Sequence, residues 1–149
     1  IFDGRWSVLD NFARTPVIVD IGYGEQTYAT SEHAFAAAKA DSRLTHAVIT
    51  TQPTPGDAKA VGRRVKLRPD WEQVKFDIMW RILQAKFDQH PRARAVLKAT
   101  GDRRIFEGNT WNDRVWGITS NDLTTPPRYS TYGGRNALGA MLMELRDGL

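Results

Sequence analysis

Cysteine is absent from the 149 residues. That removes disulfides, thiol nucleophiles and cysteine-ligated zinc together. Histidine is nearly as scarce: the chain has three, His33, His46 and His90, and their spacing fits no metal-ligand pattern. No cofactor is expected, and only a carboxylate-bound magnesium stays open as a metal. No serine–histidine–acid order suggests a hydrolytic triad. No apolar run approaches the length of a membrane-spanning helix, so no membrane partner is expected. The opening residues carry no signal-peptide pattern, and the expected compartment is the cytoplasm.

What is present describes a folded domain. The apolar fraction is 41%, with five tryptophans and six phenylalanines, which argues against disorder. The length suits a single domain over 1–149 with a real core. Lysine and arginine exceed the acids, 21 to 17, for a net charge of +4. The excess suits an anionic ligand, a phosphate ester or a nucleic acid, and equally an ordinary solvated surface.

Read along the chain, "WSVLDNF" (Trp6 to Phe12) and "VIVDI" (Val17 to Ile21) have strand character. "GYGE" supplies turn chemistry before "QTYAT", so a hairpin is expected. A helix follows from about Ser31 to Asp41. "TTQPTPGD" is a loop by composition, and Asp57 to Val65 is a short helical candidate. The longest helix lies in "LRPDWEQVKFDIMWRILQAKF", with Asp70 as N-cap and Gln73 completing a capping box. Its apolar stripe is Val74, Ile78, Ile82 and Ala85, widened by Trp71 and Met79. Arg92 to Ala99 forms another helix, stopped by Gly101. "RRIFEGN" reads as a strand leading into a long aromatic- and glycine-rich loop. The last helix carries Leu138, Met141, Leu142 and Leu145 at helical spacing. The order gives an α+β fold: a single compact, mostly helical domain with a small N-terminal β-hairpin.

Four stretches bear on chemistry. In "TSEHAFAAAKA" (Thr30 to Ala40), Glu32 and Lys39 are seven residues apart and share one helical stripe with Phe35 and Ala36. Their α-carbons lie roughly 10 Å apart along the axis at about 1.5 Å per residue. A substrate can bridge that gap, although an acid near a helix N-terminus and a solvated lysine need no ligand to explain them. His33 points about 100° away from Glu32 on a 3.6-residue turn and reads as structural. "WNDRVWG" sets Asp113 between Trp111 and Trp116, an acid between ring-stacking indoles, or a surface turn with aromatic packing. "GGRN" (Gly133 to Asn136) precedes the last helix, where amides and glycines favour phosphate, or where Asn136 merely caps. "VGRRVKLRPDW" carries Arg63, Arg64, Lys66 and Arg68, a phosphate-steering run or a solvated face.

Laid end to end, "LDNF", "SEHAFAAAKA", "GRRVKLRPDW", "QAKFDQHPRARAVLKATG", "WNDRVWG" and "GGRNALGAMLMELR" resemble the NADAR, or YbiA-like, family in its own order and over nearly the whole chain. Two positions depart from the family pattern: Asp10 stands where serine is common before "NF", and Ala36 where glutamine follows the helix aromatic.

The resemblance implies an N-glycosidase that cleaves a base from a phosphorylated ribose. One branch removes ADP-ribose from modified guanine in nucleic acid. Another acts on ribosylamino-pyrimidine phosphates of riboflavin synthesis. It implies Lys39 as the nucleophile, through a Schiff base, and Glu32 as the proton shuttle. Asp113 would orient the ribose hydroxyls or support the cation. Trp111 or Trp116 would stack on a base, with Phe35 and Gly117 lining the pocket, and Arg5, Asn11, Gly134 and Asn136 would hold phosphate. A Glu32–Asp113 carboxylate pair without a covalent lysine is the variant mechanism. The expected partners are a substrate containing ADP-ribose or ribose phosphate, and ADP-ribosylated DNA. A non-catalytic reader of ADP-ribose or NAD, and a plain nucleic-acid binder, are the readings without chemistry.

Overall fold

The computed structural model describes residues 2, 4–109, 113–119 and 135–149. They form two compact units, Asn11–Arg94 and the pairing of Ile1–Asp10 with Ala95–Leu149.

In the Asn11–Arg94 unit the expected hairpin forms. Strands β1 (Val17–Asp20) and β2 (Glu25–Tyr28) pair antiparallel, with Val17 opposite Tyr28 and Asp20 opposite Glu25. The two-residue period is clean in β1: Val17 and Val19 are buried, while Ile18 and Asp20 face outward. Gly22 and Gly24 take positive φ, 112° and 84°, which the turn requires and glycine permits. The outer edge of β1 is closed by a side chain. Gln89 accepts from the Ile18 N–H at 2.9 Å and donates to the Ile18 carbonyl at 2.8 Å, an amide standing in for the next strand.

Four helices follow: α1 (Ser31–Ala38), α2 (Arg43–Thr50), α3 (Pro55–Gly62) and α4 (Trp71–Gln89), with α5 (Pro91–Ala99) crossing into the second unit. All eight residues of α1 are buried. Its alanines make that possible, because α3 comes so close that a Cβ on Gly62 would lie 3.2 Å from the Ala36 Cβ. The α4 stripe is Trp71, Ile78, Met79, Ile82, Leu83 and Phe87, with Lys86 also buried. The expected capping box at its start does not form. Asp70 makes no side-chain cap bond, since its carboxylate grips the Arg68 guanidinium at 2.6 and 3.0 Å, and a charge-assisted fork outcompetes a single amide. Helix α2 falls in a stretch that sequence reading had passed over, and its buried residues are only His46 and Ile49.

In the other unit, Gly4–Leu9 is a 3-10 helix, not the strand that "WSVLDNF" suggests. Gly4 enters it at φ 52°, and Leu9 is its buried residue. Helix α5 ends as expected, with Gly101 at φ 61°. The strand expected in "RRIFEGN" shrinks to β3 (Gly108–Asn109), paired in parallel with β4 (Ile118–Thr119). Helix α6 (Ala137–Asp147) buries Leu138 and Leu142 and lies tightly against the 105–107 segment. A Cβ on Gly139 would sit 2.3 Å from the Ile105 carbonyl oxygen. Among the described residues no helix is long and apolar enough to cross a membrane.

Candidate functional site

Helix α1 is anchored at its start before it presents any chemistry. Thr30 caps it, accepting from the His33 N–H at 3.1 Å. The Thr30 hydroxyl also meets His33 Nδ1 at 2.9 Å, while His33 Nε2 meets the Gln52 carbonyl at 2.9 Å. A carbonyl only accepts, so Nε2 carries a proton toward Gln52. His33 is thus a buried strut, as the sequence suggests.

Glu32 follows at 7% exposure, where the N-terminal dipole favours its charge. Its backbone N–H donates to the Asn11 carbonyl at 3.0 Å, which ties the "LDNF" segment to the start of α1. Asn11 is itself 7% exposed and places Nδ2 3.5 Å from the Met79 sulfur. Its Oδ1, like Ser31 Oγ, is buried without a hydrogen-bond partner among the described residues. Buried acceptors are rarely left so, and both of these lie at the first turn of α1, Asn11 by its bond to Glu32 and Ser31 by sequence.

At the other end of α1, Lys39 is the C-cap, still right-handed at φ −69° and ψ −21°. The helix stops at Ala38 rather than Asp41, yet the stripe from Glu32 to Lys39 survives. Lys39 Nζ lies 5.5 Å from the Phe35 ring centroid and 5.9 Å from that of Trp71, and the two rings are 5.1 Å apart. The amine is therefore set over a corner of two aromatic faces. Its backbone is pinned: the Lys39 carbonyl accepts from the Arg68 N–H at 2.9 Å, and Ala40 bridges to Leu67. The basic run thus braces the lysine. Arg68 is held by Asp70, and Lys66 lies 3.7 Å from Asp41; Arg63 and Arg64 are exposed.

The remaining candidates belong to the other unit. Asp113 Oδ1 accepts from the N–H groups of Val115 and Trp116 at 3.1 and 3.0 Å, folding "DRVWG" into an Asx turn. Asn109 holds that turn from below. It is fully buried, accepts from the Asp113 N–H at 2.9 Å and donates to the carbonyls of Asp113 and Ile118. Gly117 must be glycine: a Cβ would fall 2.2 Å from both the carbonyl oxygen and Oε2 of Glu107. Burial, the main cause, raises the Glu107 carboxyl above its ordinary pKa. Trp116 is half-buried.

At the start of α6 the N–H groups of Arg135, Asn136, Ala137 and Leu138 donate to the carbonyls of Arg114, Gly117, Val115 and Trp116. Those amides are engaged by the "DRVWG" turn rather than presented to an anion. The Asn136 side chain makes no cap bond; it accepts from the Glu107 N–H at 3.0 Å and donates to the Ile105 carbonyl at 2.9 Å. Arg5 is exposed, its guanidinium 4.3 Å from the centre of the Trp6 ring. Trp111, Gly133 and Gly134 lie outside the described residues.

Glu32, Lys39, Phe35 and Asn11 thus share one unit, and Asp113, Trp116, Gly117, Asn136 and Arg5 share the other. Sequence reading missed three residues that build these sites. Trp71 reads as part of the α4 stripe, to which it belongs, and no local signal places its ring beside Lys39. Glu107 and Asn109 sit just ahead of "WNDRVWG" in a stretch with no periodic signal.

Comparison with known proteins places the chain in a family. The NADAR domain family matches residues 3–149. N-glycosidase YbiA of Escherichia coli strain K12 is 39% identical over 141 residues, covering 93% of this chain and 79% of its own. The same-named protein of Shigella boydii is 40% identical over the same length. A chloroplastic riboflavin biosynthesis protein of Arabidopsis thaliana, PYRR, is 32% identical over 110 residues, 66% of this chain and 16% of that one. The NMR structure of E. coli YbiA superposes with a TM-score of 0.77 at 36% identity, covering 99% of this chain and 82% of that one, so the mostly helical fold with its small hairpin is the YbiA-like fold. The chain belongs to the NADAR domain family.

Proposed function

We propose that this protein is an N-glycosidase that hydrolyses the bond between a base and a phosphorylated ribose, and that it removes ADP-ribose from ADP-ribosylated guanine in nucleic acid. The observation that carries the reading is Lys39, set over the rings of Phe35 and Trp71 on the same short buried helix as Glu32. Simple anion binding needs a lysine; it does not need a buried carboxylate two turns away on the same stripe.

In this reading the Lys39 amine adds to the ribose anomeric carbon as the bond to the base nitrogen breaks. The proton that the Lys39 ammonium sheds to become a nucleophile passes to the Glu32 carboxylate, which delivers it to the leaving base. The ring oxygen then departs with a proton, leaving an iminium on Lys39. The aromatic faces that suit an ammonium also suit that cation. Water adds to the same carbon, Glu32 takes its proton, and the amine leaves to restore the enzyme and release the sugar phosphate. The buried Asn11 oxygen is available to accept from a ribose hydroxyl or a base N–H. Asp113 supports the ribose and the cation, Trp116 stacks on a flat ring, and Arg5 holds phosphate. Trp111 and Gly134 keep the base-stacking and phosphate roles that the resemblance implies.

A second substrate is favoured by one observation, the likeness to the Arabidopsis riboflavin biosynthesis protein. Its ribosylamino-pyrimidine phosphate would present the same anomeric carbon to the same lysine. Mass spectrometry of products separates the two. The protein and Lys39→Ala are incubated with an ADP-ribosylated guanine oligonucleotide and, in parallel, with the ribosylamino-pyrimidine phosphate. Release of ADP-ribose from the first, abolished in the variant, supports nucleic-acid de-ADP-ribosylation. Release of ribose phosphate from the second alone transfers the reading to riboflavin intermediates. If neither is cleaved and Lys39→Ala still binds ADP-ribose, the protein is a reader rather than an enzyme.

A further inference from the structure

The unit formed by Ile1–Asp10 and Ala95–Leu149 contains a cavity of about 480 Å³, of whose lining residues the chemistry above uses Arg5 alone. Its size lies within the range of small-ligand sites, roughly 300–1,000 Å³. Arg5, Arg103 and Arg104 line it and are exposed. Trp6 and Phe106 add half-buried rings, and Leu9 and Ile105, 1% and 5% exposed, close the bottom. Among the described residues no carboxylate lines it.

The walls are held before any ligand arrives. Arg146 donates to the Arg103 carbonyl and to Thr100 Oγ1. Ile105 is tied through its N–H to the Met143 sulfur and through its carbonyl to Asn136 Nδ2. Both sets of ties fix residues 100–105 onto α6. On the facing wall the Arg5 guanidinium lies on the Trp6 ring, so that side chain has already lost much of its rotamer freedom. Ordering costs on binding are correspondingly small.

From this arrangement we propose that the cavity is a nucleoside-phosphate site, separate in its residues from the lysine and acid of α1. A bare phosphate would meet the positive charge but leave the rings and the apolar floor unused. An apolar ligand would fill the floor but gain nothing from three cations. A nucleotide uses both, with its base on the aromatic and guanidinium faces and its phosphate at the rim. The same chemistry is offered by a free mononucleotide and by one unit of a single strand.

Isothermal titration of the whole chain with AMP, adenosine, inorganic phosphate and an unmodified single-stranded decanucleotide tests this. The comparison is with Arg103→Ala/Arg104→Ala, its fold checked by circular dichroism, and with Lys39→Ala. The expected result is that AMP binds at least tenfold more tightly than adenosine or phosphate. The arginine double variant loses at least tenfold in AMP affinity, and Lys39→Ala retains a binding event that the arginine pair controls. A decanucleotide that binds much more tightly than AMP, with a salt dependence reduced in the double variant, assigns the site to a strand. Equal affinity for the two assigns it to a free nucleotide. The inference is overturned if a folded double variant binds AMP within twofold of the parent protein, or if adenosine or phosphate binds as tightly as AMP. Neither result touches the glycosidase reading, which rests on Lys39 and on product release.

Discussion

Replacing Gly117 by alanine isolates one demand of the Asp113 turn. The added methyl would lie 2.2 Å from the Glu107 carbonyl oxygen, 2.2 Å from Glu107 Oε2 and 2.8 Å from Asn109 Nδ2. A side-chain terminus can swing away, but a backbone carbonyl whose own N–H is held by Asn136 cannot do so cheaply. Overpacking typically costs about 1–3 kcal/mol, and a backbone contact places this case near ~3 kcal/mol. At roughly 2–4 °C per kcal/mol for a chain of this size, the midpoint of thermal unfolding falls by about 6–12 °C. Because Asp113 Oδ1 is fixed by amides two and three residues along the same turn, activity should fall as well, through kcat more than KM. Gly56→Ala is the control: its nearest neighbour, Thr54 Oγ1, would be 3.7 Å away. In the first turn of α3 that change should be neutral or slightly stabilising, by up to ~1 kcal/mol. Scanning calorimetry and steady-state kinetics on both variants measure this. Equal melting of Gly117→Ala and the parent protein would refute the close approach on which the turn's architecture depends.

Other perturbations have equally definite signs. His46 is held neutral by burial first and by Arg43 second, which lower its pKa, and its Nε2 meets the Tyr28 hydroxyl at 2.8 Å. A lowered histidine contributes stability that is complete above about pH 6.5 and is lost as the pH falls from there through the folded-state value; urea midpoints between pH 7.5 and 5 should drop, and flatten in His46→Gln. Glu107 has the opposite slope, because a raised carboxyl makes the folded state bind the extra proton, so its unfavourable contribution appears as pH rises from its ordinary value through the folded one. Glu107→Gln should remove that decline in the same titration. Thr30→Ala removes both the α1 cap and the partner of His33 Nδ1 and should cost about 1–2 kcal/mol by chemical denaturation, with Thr30→Ser recovering most of it.

The hairpin was legible because β-branched residues alternate in "VIVDI" and two glycines follow where the turn needs positive φ. Helix α4 was legible because its stripe is long enough to repeat. The all-round burial of α1 was not, since an alanine-rich segment has almost no amphipathic signal, and its depth follows from neighbours such as Gly62 that lie far away in sequence. "RLTHAVIT" escaped as α2 for a different reason: it is short, four of its eight residues are β-branched and weigh against a helix, and its apolar Leu44 and Val48 face outward. "WSVLDNF" misled because a short 3-10 turn and a strand can carry the same residues, and only tertiary context separates them. The stripe from Glu32 to Lys39 could be read from helical spacing alone. The ring of Trp71 beside Lys39 could not, because it is brought there by packing between α1 and α4. Asn109 and Glu107 were invisible for the same reason, their partners being loop amides and a glycine on a facing segment.

The central claim is that Lys39 is a nucleophile, and borohydride trapping during turnover tests it most directly. The protein is incubated with ADP-ribosylated guanine oligonucleotide, reduced with borohydride, digested and analysed by mass spectrometry. The account predicts an ADP-ribose-sized addition on the peptide carrying Lys39, absent in Lys39→Ala and absent without substrate. Steady release of ADP-ribose with no adduct on Lys39 at any time would contradict it and give the reaction to the Glu32 and Asp113 carboxylates instead.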